Sequence, residues 1–166
     1  MNRDYYARLL DETGRETIER YDREESGPQF RGIDEAKQDN GLFTFEALDR
    51  DKQVDILRAL DENLPTRTKR PNTRTGTSYA LKHVVERYLG YYVSNLQTKT
   101  AMRILGYERS AYKLNPYFNV TIGEWRAFER AAWEADDKRR EARRRIEDAQ
   151  ERRAAARYFY KMARTV

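Results

Sequence analysis

The sequence predicts a mainly α fold: a helical domain carrying a winged-helix-like unit with a small β ribbon, followed by a long C-terminal helix. Three observations predict it. Leu81, Val84, Val85 and Tyr88 repeat at the i, i+3, i+4, i+7 spacing of a helix with one buried face. Short runs with strand propensity, Tyr91-Tyr92-Val93 and Tyr117-Phe118-Asn119-Val120, follow that helix and the next one. No Pro or Gly occurs after Gly123, so a helix starting near Thr121 has nothing to stop it. The expected organisation is an acidic helix and loop over 1–41, a core over 42–120, and a long charged helix over 121–166.

Residues 2–25 form the first helical candidate, with Tyr5, Leu9, Leu10, Ile18 and Tyr21 as apolar positions and Gly14 interrupting them. The stretch SGPQFRGIDEAKQDNG, 26–41, carries loop punctuation. Phe43, Phe45 and Leu48 anchor the entry to a second unit. There Asp49 is the expected N-cap of a helix running to Glu62, with Val54, Ile56, Leu57 and Leu60 inward and Pro65 ending it. PTRTKRPNTRTG, 65–76, holds Arg67, Lys69, Arg70 and Arg74 with no acid, and its prolines and threonines predict a mobile basic loop.

The central helix from Ser78 to Leu89 is expected to stop at Gly90. Ser94 and Gln97 fit a capping box that starts another helix, closed by Gly106, with Ala101, Ile104 and Leu105 inward. Asn95, Lys99 and Arg103, each four apart, form its predicted outward stripe. Thr121 with Glu124 makes a second capping box, and Val120 with Trp125 a hydrophobic staple. From Trp125 through Phe128, Ala132, Ala135, Arg139, Ala142, Ile146, Ala149, Arg153 and Ala156 to Tyr160 the spacings alternate between three and four. That is a heptad seam, mostly of alanine, broken by two arginines.

Charge is unevenly placed. The net is +5, but residues 1–60 carry about −5, residues 61–120 about +6 and the remainder about +4. A basic middle and tip point to a polyanionic partner. In a winged helix-turn-helix the second helix enters the major groove. Asn95, Lys99 and Arg103 would then meet bases or phosphates, with Arg67, Lys69, Arg70 and Arg74 on the backbone. The tip residues Tyr158, Phe159, Tyr160 and Lys161 combine aromatic rings with charge, the expected second contact surface for a partner.

Several chemistries are absent from the sequence. There is no cysteine, which removes disulfides and thiolate sites. His83 is the only histidine, and beside Lys82 and Glu86 it reads as a paired structural residue. No Walker loop, dinucleotide fingerprint or nucleophile elbow occurs. The expectation is a non-enzyme with no cofactor and no metal. The N-terminus lacks the apolar core of a secretory signal and no run approaches a membrane span, so a cytoplasmic location is expected.

The motifs SYALKHVVERYLGYYVSN, KTAMRILGYE and NPYFNV, preceded by a unit ending Asn63-Leu64-Pro65, resemble small proteins of phages, plasmids and integrative elements of gut bacteria. The resemblance covers about Phe45 to Val120. It implies a mobile element in a bacterial cytoplasm, where small proteins include DNA-binding regulators and inhibitors of host defence. Two partners follow as expectations. One is DNA or RNA, bound by the basic surface. The other is a CRISPR effector or similar nucleoprotein complex, blocked in the manner of an anti-CRISPR protein by the acidic front or the aromatic tip. A homodimer through the C-terminal helix is a third, structural option.

Overall fold

The computed structural model describes residues 2–26, 43–111 and 114–163, with side chains described as far as Arg157. It is mainly helical. In chain order the helices are α1 (Arg3–Thr13), α2 (Arg15–Ser26), α3 (Arg50–Asn63), α4 (Ser78–Leu89), α5 (Asn95–Ile104) and α6 (Ile122–Ala163). None of the described helices is long and apolar enough to cross a membrane.

The helix boundaries follow local chemistry. Gly14, at φ 75°, breaks the first candidate into α1 and α2. The Asp49 side chain accepts from Lys52 N at 2.9 Å and so caps α3. Ser94 Oγ accepts from Gln97 N at 3.0 Å while Gln97 Oε1 accepts from Ser94 N at 2.8 Å, completing the capping box of α5. Gly90 ends α4 in the left-handed conformation. Arg139, about two turns past Ala132 on α6, donates to the carbonyls of Arg87 and Tyr88, the orphan acceptors at that same helix end.

Helices α3, α4 and α5 surround a core in which Phe45, Ile56, Leu57, Leu60, Leu81, Val85 and Met102 are fully buried. Helix α1 lies on α3 and α2 on α5, while α6 packs along α4 through Trp125, Phe128 and Ala132. Beyond Arg140 every described side chain of α6 is exposed, so the rest of the helix projects from the body. The expected heptad seam is therefore buried in its first half and bare in its second.

Gly76 fixes where α6 can begin. A Cβ there would lie 2.3 Å from the Trp125 ring and 2.7 Å from the Ala80 methyl. Gly76→Ala should therefore lower stability by about 1–3 kcal/mol through overpacking. Chemical denaturation checks it, and a variant as stable as the parent would show that Trp125 is not held against this turn.

The β expectation needs correction. Among the described residues no strand forms, only two isolated antiparallel bridges, Arg67 with Val120 and Arg109 with Phe118. The segment 116–120 runs between the basic loop on one side and residues 108–110 on the other. Thr68 N donates to Asn119 O, Asn72 N to Phe118 O, and Asn119 N to Glu108 O. The Asn119 side chain takes over two further positions, donating to Thr68 O and accepting from Glu108 N, which interrupts a regular ladder. Tyr91-Tyr92-Val93 pairs with no strand at all. Val93 N donates to the Glu86 carboxylate and Val93 O accepts from Lys82 Nζ, so side chains satisfy this backbone.

Candidate nucleic-acid interface

The predicted stripe on α5 does not face solvent. Lys99 is 2% exposed and its ammonium donates to the carbonyl of Glu25. Arg103 pairs with Glu24 at 2.5 Å and with Glu25 at 3.5 Å, and its guanidinium lies 4.1 Å from the Tyr21 ring centroid. Asn95 donates to Leu114 O and to Asn115 Oδ1. The physical reason is α2, whose acidic side lies on this face of α5. Asp22, fully buried, accepts from Thr100 Oγ1 at 2.6 Å and from the backbone N–H groups of Phe45 and Glu46. Burial pushes its carboxyl above the usual carboxylate range while these three donors pull it back. Burial likewise pushes the Lys99 ammonium down, opposed by the Glu25 charge. Arg109 adds a 3.0 Å pair to Glu25, so two arginines share one buried carboxylate.

Much of the acidic front is engaged in the same way. Asp51 and Asp55 meet Arg3, Asp11 meets Arg50, and Glu19 and Glu46 meet Arg15. These pairs stitch α1 and α2 to α3 and to its entry turn, and they leave less free charge than the count of carboxylates implies.

The basic loop divides into two parts. Arg67 is exposed but engaged: it donates to Leu105 O and stacks 4.3 Å from the centroid of the Tyr107 ring. Lys69, Arg70 and Arg74 are exposed, and their side chains make no hydrogen bond or ion pair among the described residues. The backbone beneath them is nonetheless ordered. Thr68 Oγ1 donates to Arg70 O, Asn72 Oδ1 accepts from Arg74 N, and Asn72 Nδ2 donates to Val120 O. Three free cations thus stand on a turn tied to segment 116–120. Glu108, also exposed, lies across that segment.

His83 sits on α4 with Nδ1 2.9 Å from Glu86 and its ring edge-on to Tyr79, a paired surface residue as its neighbours suggested. The described residues contain no group of three or more His, Cys, Asp or Glu able to hold a metal. Tyr158, Phe159, Tyr160 and Lys161 lie in the last turns of α6, and their side chains fall outside the described residues.

No family model, no curated protein and no solved structure matches this chain. Function therefore rests on the residues themselves.

The sequence missed the acidic partners of α5. Glu24 and Glu25 are more than 70 residues upstream, and no local spacing links them to Lys99 or Arg103. One test separates a structural Lys99 from a contacting one. Lys99→Met keeps the length and apolar stem and removes the charge, so stability should change by no more than about 1–2 kcal/mol and nucleic-acid affinity should stay within twofold. Fluorescence anisotropy with a labelled duplex reads the affinity; a tenfold loss would return α5 to the contact surface.

Proposed function

We propose that the chain binds nucleic acid non-enzymatically, through phosphate contacts made by the loop between α3 and α4. The observation that carries this reading is the trio Lys69, Arg70 and Arg74, exposed and unpartnered on a loop with no acid from 65 to 76. Phosphate contact asks for positive charge on a firm backbone more than for a shaped pocket. The bridges Arg67–Val120 and Arg109–Phe118 bring the basic loop and residues 108–110 to one segment, somewhat as the wing of a winged helix-turn-helix does, although no strand forms among the described residues. That likeness supports the reading of a compact nucleic-acid module.

The mode differs from base readout. The helix that would enter the major groove is α5, and its polar face is occupied by α2, so the reading is of backbone binding with little sequence preference.

The experiment is a salt titration. Three phosphate contacts to a duplex give a slope of about −2.7 in log affinity against log salt, so binding should weaken about 40-fold from 50 to 200 mM. Lys69→Glu/Arg70→Glu/Arg74→Glu should remove binding at low salt while leaving the thermal transition in place. A variant that binds like the parent would sink the proposal.

A further inference from the structure

We infer that the projecting half of α6 is a docking face for an acidic amphipathic helix of a partner protein. Beyond Arg140 every described side chain of the helix is exposed, with Arg143 at the edge of the cleft beside Arg87 and Gly90, yet the charges are sorted by side. With 3.6 residues per turn, Arg143, Arg153 and Arg157 lie within about 60° of the direction of Ile146. Ala142 and Ala149 share that side, and Ala156 lies at its margin. The acids Glu141, Glu147, Asp148 and Glu151 all fall about 100° or more away, on the flank and back of the helix. Ile146 is 58% exposed, and the three arginines make no ion pair among the described residues.

Spacing and charge together select the occupant. Ala142, Ile146, Ala149 and Ala156, with Arg153 between the last two, keep the three-and-four spacing that meets another helix, and alanine lets two helix backbones approach closely. A second copy of the chain does not fit. Arg143 and Arg157 flank one side of the seam, Arg145 and Arg152 the other, and Arg153 stands in it. Self-pairing in either direction therefore sets arginine against arginine. A helix with apolar seam positions and glutamates on both flanks satisfies every one of these side chains. The face is also remote from the basic loop, since Trp125, which touches Gly76, lies about 25 Å along the helix from Ala142. The inference is thus independent of the nucleic-acid proposal.

The test uses the full chain and two synthetic three-heptad peptides, both with Leu and Ile in the seam, one with Glu and the other with Lys on the flanks. Titration calorimetry should show the Glu peptide binding, more weakly at higher salt, and the Lys peptide not binding. Arg143→Glu/Arg153→Glu and, separately, Ile146→Ser should each weaken the Glu peptide at least tenfold, while Lys69→Glu/Arg70→Glu/Arg74→Glu should leave it unchanged. Three outcomes overturn the inference. One is failure of the Glu peptide to bind the parent. Another is its displacement by a duplex that loses affinity with the α6 double variant, which would make the arm part of a nucleic-acid surface. The third is a dimer in light scattering that Ile146→Ser dissolves, which would give the face to a second copy.

Discussion

Asp22→Ala should destabilise the chain by about 3–5 kcal/mol, because it removes the shared acceptor of three neutral donors in a buried network. The carboxylate accepts from Phe45 N at 3.1 Å, Glu46 N at 3.0 Å and Thr100 Oγ1 at 2.6 Å, with almost no access to water. Removing it strands two backbone donors and a hydroxyl at the junction of α2, α5 and the entry to α3, and a stranded buried donor costs about 1–3 kcal/mol. Asp22→Asn keeps one acceptor oxygen and the volume, so it should lose distinctly less than the alanine variant. Urea denaturation of the pair checks the account. An alanine variant within about 1 kcal/mol of the parent would mean that α2 is held by its surface ion pairs instead.

Phe128→Ala should cost a similar amount, about 3–5 kcal/mol, by opening a cavity where α6 docks. Phe128 is 1% exposed and meets the Tyr88 ring edge-on with centroids 5.4 Å apart. Trp125 and Ala132 flank it on the same buried side. Ile146 sits five turns further along the same seam but is mostly exposed, so Ile146→Ala should change stability by no more than about 0.5 kcal/mol. The contrast between two positions of one repeat tests where the docked part of α6 ends. Equal costs at both positions would contradict a projecting helix.

The helices were legible because their boundaries are set by neighbours in sequence. The Asp49 cap, the Ser94–Gln97 box, the Gly90 stop and the Thr121–Glu124 start all act over three or four residues, within reach of spacing rules. The outward stripe was not legible for the opposite reason. Gln97, Thr98, Lys99 and Thr100 are all buried, because α5 lies among α2, α3 and α4 and has little free surface along its middle. Polar residues there read as a solvated face, and only the tertiary arrival of Asp22, Glu24 and Glu25 turns them inward. The ribbon was misplaced because strand propensity in Tyr91-Tyr92-Val93 is overridden by Glu86 and Lys82, which capture the Val93 backbone. Of the candidate site, the loop cations all lie at the surface, but Arg67 is engaged there, and its stacking on Tyr107 depends on a residue 40 positions away.

Basicity alone is a poor guide in this chain, since Arg3, Arg15, Arg50, Arg103, Arg109 and Arg139 are all engaged in the fold. What sets Lys69, Arg70 and Arg74 apart is that their backbone is tied down while their charges are not. The most direct test compares two variants against one labelled duplex at 50 mM salt, Lys69→Glu/Arg70→Glu/Arg74→Glu and Lys99→Met. Loss of binding in the first with retention in the second is the predicted result. Retention in the first, or loss in the second with an unchanged thermal transition, would contradict a phosphate-binding loop.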